Sequence, residues 1–234
     1  MTARAHPVVG IIGGMGPEAT VDLMRRIIAR TPASDDQDHV HLLVESNPKI
    51  PSRIAHLIEG TGADPTPELV RIARNLEAAG ATLLAMPCNT AHDYATAIRA
   101  AVSIPLLDMV ALSAARLQAL APGARVGLLA STAVQRTGLY AAALAPLGLT
   151  LVPAERQDAL MALIRGVKRG ATGDAALQAL RSFVDELAAR ADVVLIACTE
   201  LSVLAAELRP AVPLLDSLDV LTDAILEATL PRRA

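Results

Sequence analysis

Cys88 and Cys198 are the only thiols in this chain of 234 residues, and each closes an apolar run and opens a polar one. The two stretches are Leu83-Leu-Ala-Met-Pro-Cys-Asn-Thr-Ala-His92 and Val193-Val-Leu-Ile-Ala-Cys-Thr-Glu200. Each is followed further on by the same phrase, Ile104-Pro-Leu-Leu-Asp108 or Val212-Pro-Leu-Leu-Asp216, and preceded by another pair, Val9-Gly-Ile-Ile-Gly-Gly14 and Val126-Gly-Leu-Leu-Ala-Ser131. The thiols therefore sit at matched positions of two half-chains. If the halves face each other about a pseudo-twofold axis, the thiols address one cleft from opposite sides. That arrangement suits removal of a proton from one face of a carbon and its return to the other.

The elements needed to hold such a pair are short buried strands alternating with helices. Val8 to Gly13 reads as a strand, Pro17 to Thr31 as a helix with proline in its first turn, and Val40 to Glu45 as a second strand. Helices near Ser52 to Glu59 and Pro67 to Ala79 lead to the first cysteine strand, then a helix from Thr90 to Val102 and a strand from Pro105 to Leu107. The second half repeats this with strands near 125–130, 149–153, 192–197 and 213–215. Strict alternation implies parallel sheets covered on both faces. The expected architecture is α/β, with two similar Rossmann-like, flavodoxin-like domains whose parallel four-stranded sheets are related by pseudo-twofold symmetry. Residues 1–107 plus 216–234 form the first domain, carrying Cys88, and 108–215 the second, carrying Cys198. The helices Val110 to Leu120 and Leu218 to Leu230 each pack on the half opposite to the strand they follow.

In open α/β sheets ligands bind at the carboxyl ends of strands, where both cysteines fall. The helix starts after them are expected to favour thiolate, and the main-chain amides around Asn89, Thr90, Thr199 and Glu200 to hold a carboxylate. A free cysteine is more often an inert buried apolar group, but matched positions favour chemistry for this pair. Zinc is a poor alternative, because Cys88 and His92 offer two ligands while the second site has only Cys198 beside Thr199 and Glu200. A Cys-His hydrolase would need His92 turned toward Cys88 and a third orienting group, so His92 reads as a structural residue. Gly14-Met-Gly16-Pro-Glu-Ala19 nominally matches a dinucleotide fingerprint, yet Pro17 removes an N–H that a pyrophosphate would want. Those glycines rather let main chain approach a small ligand, with Met15 near it. A dicarboxylate needs a second cation site, for which Arg53 and Lys168 are the candidates, each open to a plain reading as surface charge. Capping accounts for acids such as Asp108 and Asp216.

Composition narrows the partners. With 53% hydrophobic residues, a net charge of −3 and only three aromatic Phe, Tyr or Trp side chains, the chain has neither the basic surface nor the stacking platforms that nucleic acid demands. No stretch reads as a signal peptide or a membrane span, and an enzyme needing free thiols belongs in the reducing cytoplasm.

The phrases Gly10-Ile-Ile-Gly-Gly-Met-Gly-Pro-Glu-Ala-Thr20, Asn47-Pro-Lys-Ile-Pro-Ser-Arg53, Met86-Pro-Cys-Asn-Thr-Ala-His92, Gly166-Val-Lys-Arg-Gly170 and Ala197-Cys-Thr-Glu200 run through nearly the whole chain. In them the chain resembles the aspartate/glutamate racemases, most closely the aspartate racemase group. The resemblance implies racemisation without cofactor or metal, one cysteine abstracting the α-proton as thiolate and the other protonating the opposite face. By it Cys88 and Cys198 are catalytic, Asn89, Thr90 and Thr199 hold the α-carboxylate, Arg53 and Lys168 bind the side-chain carboxylate, and Met15 lies near the substrate. It also implies action on D and L forms, aspartate before glutamate, and a homodimer. Related enzymes isomerise maleate or decarboxylate arylmalonates, so the scaffold leaves these reactions open. So does it leave a non-catalytic binder of dicarboxylates or dinucleotides.

Overall fold

A computed structural model of the chain describes residues 6–230. The first half runs β1 (Val8–Gly13), α1 (Pro17–Arg30), β2 (His41–Ser46), α2 (Thr66–Ala78), β3 (Leu83–Ala85), α3 (Ala95–Ala101) and α4 (Met109–Leu120). The second runs β4 (Arg125–Ala130), α5 (Thr132–Thr137), α6 (Leu139–Leu144), β5 (Thr150–Pro153), α7 (Gln157–Lys168), α8 (Asp174–Ala188), β6 (Val193–Ala197), α9 (Thr199–Ser202), β7 (Leu214–Asp216) and α10 (Ser217–Thr229). All strand pairs are parallel, in the orders β2-β1-β3 and β5-β4-β6-β7, so the halves share one winding. β1 registers Val9 on Leu83, and β4 registers Val126 on Val193, which places Cys88 and Cys198 just past the carboxyl ends of equivalent strands.

The expected fourth strand of the first sheet is reduced to a single bridge between Leu84 and Leu106. Asp108 turns away from the ladder, its carboxylate accepting from the Val110 and Ala111 amides at 3.0 and 2.9 Å as the cap of α4. In the second half the same phrase pairs over all of Leu214–Asp216 while Asp216 caps α10 through the Leu218 amide. Several expected helices are shorter or broken. The segment after Cys88, expected as a helix from Thr90, begins as a 3-10 turn, Thr90–Tyr94. Ser52 to Glu59 forms only a short π-helical turn, Ala55–Glu59.

Helix spacing explains the covering layers. α2 buries Leu69, Ile72, Ala73 and Leu76, and α8 buries Leu180, Phe183, Val184 and Leu187, both at helical i, i+3, i+4, i+7 spacing. The two helices that close the halves cross over. α4 places Val110, Ala114 and Leu117 in one core with Val126, Leu128 and Ala130 of β4. α10 places Leu218, Leu221 and Ile225 with Val9 and Ile11 of β1 and Leu83 and Ala85 of β3. Fully burying side chains of this size contributes about 1.5–3 kcal/mol each, so the exchange ties the halves together at their base. Among the described residues no helix is long and apolar enough to cross a membrane.

Candidate active site

The two cysteine turns meet between the halves. One cavity is lined by both thiols and by every other residue singled out in the sequence: Met15, Arg53, Asn89, Thr90, Lys168, Thr199 and Glu200. Ser52, Ile54, Ser131 and Ile164 complete it.

Each turn is laced to the opposite half. The Thr90 hydroxyl meets the Ser131 hydroxyl at 3.2 Å, and the Thr199 hydroxyl donates to the Pro87 carbonyl at 3.2 Å. Asn89 is buried, accepting from the Tyr140 hydroxyl at 2.6 Å and donating to the Ser217 hydroxyl at 3.0 Å. Among the described residues the main-chain N–H groups of Asn89, Thr90 and Thr199 have no backbone partner, which leaves them for a ligand. Gly14, at φ +90°, brings the end of β1 against the Asn47 backbone, where a Cβ would lie 2.4 Å from the Asn47 carbonyl carbon. This contact seats Met15, 2% exposed, beside the cysteines.

His92 is not the partner of the Cys88 thiol. Its Nε2 accepts from the Met109 N–H at 3.1 Å, so its Nδ1 carries the proton and donates to the Cys88 carbonyl at 2.9 Å. Burial holds its pKa below the usual histidine value. The ring braces the turn as a neutral strut, which removes the Cys-His dyad considered from sequence.

The Cys198 side is ionic. The thiol donates to Glu200 Oε2 at 3.1 Å, and Glu200 Oε1 pairs with Lys168 Nζ at 3.1 Å. Burial, and then the Glu200 carboxylate, push the Cys198 thiol well above its usual pKa. This corrects the expectation that a helix dipole favours thiolate there, since α9 has only four residues and the carboxylate outweighs it. Burial opposes the Lys168 charge, but the Glu200 carboxylate outweighs it and raises its pKa. Arg53 Nη1 donates to the Pro51 carbonyl at 2.9 Å, whereas its buried Nε has no partner among the described residues.

Behind α9, Arg26 of α1 bonds Asp216 at 2.7 Å and Asp219 at 2.7 Å within its own half, and reaches across to the Ser202 carbonyl at 2.7 Å. Ser202 donates its hydroxyl to Asp216 at 2.6 Å. Burial pushes the Asp216 carboxyl above its usual value, and Arg26 offsets only part of that rise. With a guanidinium, a hydroxyl and the Leu218 amide all donating to it, Asp216 holds its charge.

Against known proteins, the sequence model described as Asp/Glu/hydantoin racemase matches residues 12–225. The chain belongs to that family. This racemase is similar to the broad specificity amino-acid racemase RacX of Bacillus subtilis (strain 168), 26% identical over 215 residues that cover 90% of this chain and 92% of that protein. It is also similar to Picrophilus torridus aspartate racemase, with a TM-score of 0.87, 31% identity, and 95% and 94% of the two chains covered. Glutamate racemase from Francisella tularensis subsp. tularensis SCHU S4, in complex with D-glutamate, shares the fold at 14% identity and a TM-score of 0.63, covering 98% of this chain and 84% of that one. The racemase therefore acts on a small amino-acid substrate.

Sequence reasoning had passed over Ser131 and Tyr140. Ser131 was legible, because it is the repeat counterpart of Gly14 at the end of β4. Tyr140 carried no such signal, lying inside an alanine-rich helix.

Proposed function

We propose that this racemase interconverts L- and D-aspartate without a cofactor, with Cys88 and Cys198 as the two bases. One thiolate takes the α-proton, and the electron pair left behind spreads into the carboxylate as an enediolate. The opposite thiol then gives its proton to the other face of the same carbon. After the product leaves, the first sulfur carries the proton and the second is thiolate. No electron or atom is gained in the cycle, so no oxidant or co-reactant is needed.

The observation that carries this reading is that both thiols, free main-chain amides and two cations line one small cavity. The amides of Asn89, Thr90 and Thr199 hold the α-carboxylate, where negative charge grows as the proton leaves. Each such donor is worth about 3 kcal/mol in a dry site. Arg53 and Lys168 face only one carboxylate in the cavity, Glu200, and so leave a surplus positive charge for the side-chain carboxylate of a dicarboxylic amino acid. Glu200 stands as the proton acceptor for Cys198, converting it to thiolate when that sulfur must act as base. The cavity is walled by both halves, 1–107 with 216–234 and 108–215, which part for entry and close for chemistry. The end segments of the first half, 1–5 and 231–234, lie outside the described residues. The same reading makes the working unit a homodimer, for which Val21 and Ile28 on the outer face of α1, 50% and 55% exposed, offer apolar surface. Sedimentation checks that.

A second reading, a broad-specificity racemase, is favoured by the likeness to RacX. Proton NMR of L- and D-aspartate with the pure protein in D2O, alongside chiral chromatography and a panel of other amino acids, separates the two. Deuteration at Cα with inversion from both aspartate enantiomers, and little turnover of alanine, is the expected result. Equal rates on neutral amino acids would replace aspartate with the broader class, and no inversion of any amino acid would end the two-base proposal.

A further inference from the structure

Asn89 stands next to Cys88 in the turn that presents the carboxylate-binding amides, yet its side chain faces inward. Its exposure is 2%, and its two polar atoms are each engaged by a residue from outside the turn. The carbonyl oxygen accepts from Tyr140 of α6 at 2.6 Å, and the amide nitrogen donates to Ser217, the first residue of α10, at 3.0 Å. Tyr140 and Ser217 are themselves 1% and 0% exposed, so water cannot stand in for either bond.

Tyr140 belongs to the second half and Asn89 to the first, so this bond spans the cleft at the level of the reacting atoms. Two longer bonds also cross between the halves here, from the Thr199 hydroxyl to the Pro87 carbonyl and between the Thr90 and Ser131 hydroxyls, both 3.2 Å, and neither engages the Asn89 side chain. Cys88 donates its N–H to the Met86 carbonyl at 2.8 Å, a local bond, and His92 braces only the Cys88 carbonyl. Neither sets the position of residues 88–90 relative to the Cys198 turn. Burial pushes the Tyr140 hydroxyl above the usual phenol range, so it stays protonated and remains a donor at any working pH.

We propose that Tyr140 is a positioning residue for racemisation. Its buried hydroxyl holds the Asn89 side chain, and through it holds Cys88 and the main-chain amides of Asn89 and Thr90 in register with the Cys198 turn. The inference rests on the reading of those amides as the carboxylate site. Because the amides act most on the enediolate, misplacing them weakens the transition state more than the bound substrate.

The test is Tyr140→Phe, which keeps the ring in the core and removes the one donor, assayed well below its own melting temperature. A fall in kcat of about 10- to 100-fold with KM moved less than about threefold is the expected result. Ser217→Ala, which removes the other bond to the same amide, should show the same split. The double variant should lose less than the product of the two single losses, because both act through one side chain. Should Tyr140→Phe fail to fold, Ser217→Ala carries the test alone. A ring that merely fills the core would leave kcat at the wild-type value in the folded variant, and that outcome overturns the proposal.

Titration with L-aspartate, followed by the 15N–1H shifts of the Asn89 and Thr90 main-chain amides, separates this inference from the reading beneath it. Amides that do not respond in the wild type overturn the carboxylate site itself. Amides that respond in the wild type and identically in Tyr140→Phe overturn only the role of Tyr140. Displaced amides with a weakened response in the variant support it.

Discussion

The two cysteine turns are near copies in sequence and unlike in their surroundings. Around Cys88 the supports are neutral: a histidine with both ring nitrogens bonded to main chain, and an asparagine held by a tyrosine and a serine. Around Cys198 they are charged, with Glu200 on the thiol, Lys168 on Glu200, and Arg26 with Asp216 behind α9. The repeat thus places a cysteine at the same strand end twice, while burial and the neighbouring Glu200 carboxylate decide the protonation of Cys198. Together they hold the Cys198 thiol protonated.

The largest test of the comparison is to remove each sulfur in turn. Cys88→Ala and Cys198→Ala should each lower racemisation by about 10³-fold or more, since each takes away one of the two proposed proton-transfer partners. Chiral chromatography reads the loss, and a variant within tenfold of the wild type would break the symmetry of roles.

Arg26→Met should cost about 3–5 kcal/mol of stability in urea denaturation, because it strands the buried Asp216 charge. A loss below about 1 kcal/mol, the size of an exposed pair, would mean that the ionic support of the Cys198 turn contributes little.

Glu200→Gln sharpens the contrast at the sulfur itself. It should lower kcat by about 10- to 100-fold, as expected on loss of a proton acceptor. In a Cys88→Ala background, the pH midpoint for alkylation of Cys198 should move down, because the carboxylate that helps raise that thiol is gone. An unmoved midpoint would leave burial as the sole cause.

Arg53→Met should raise KM for aspartate about tenfold, an ordinary value for one lost charged contact, and leave alanine little changed. Steady-state kinetics on both amino acids checks it, and equal losses would remove the side-chain role.

The smallest effect belongs to the neutral side. The folded pKa of His92 is depressed by burial, so its contribution to stability is complete above the unfolded value of about 6.5 and is lost as pH falls below it. Stability should drop by up to about 1.4 kcal/mol per pH unit in that range. Urea midpoints at pH 7.5, 6.5 and 5.5 should show this slope in the wild type and a shallower one in His92→Gln.

Much of the site could be read in advance because strand ends and repeats are local patterns. An apolar run closing on Cys-Asn-Thr or Cys-Thr-Glu fixes where chain leaves a parallel sheet, and the parallel winding then forces both ends to one side. The fourth strand of the first sheet was over-read, since the phrase Pro-Leu-Leu-Asp has the same letters at 105–108 and 213–216, yet only the second makes a full strand. The helix after Cys198 was over-read too, and with it the dipole assigned to the thiol.

The sequence by itself determined the alternating α/β halves and the matched strand-end positions of Cys88 and Cys198, because these follow from periodicity and repetition along the chain, whereas Met15, Arg53 and Lys168 were joined to them by resemblance to a family. Tertiary structure alone decided that Glu200 faces the Cys198 thiol, that His92 turns its nitrogens to main chain, and that Tyr140 reaches Asn89 across the cleft. Protonation and positioning depend on burial and on distances of about 3 Å between side chains brought together by folding, and hydrophobic patterning carries neither.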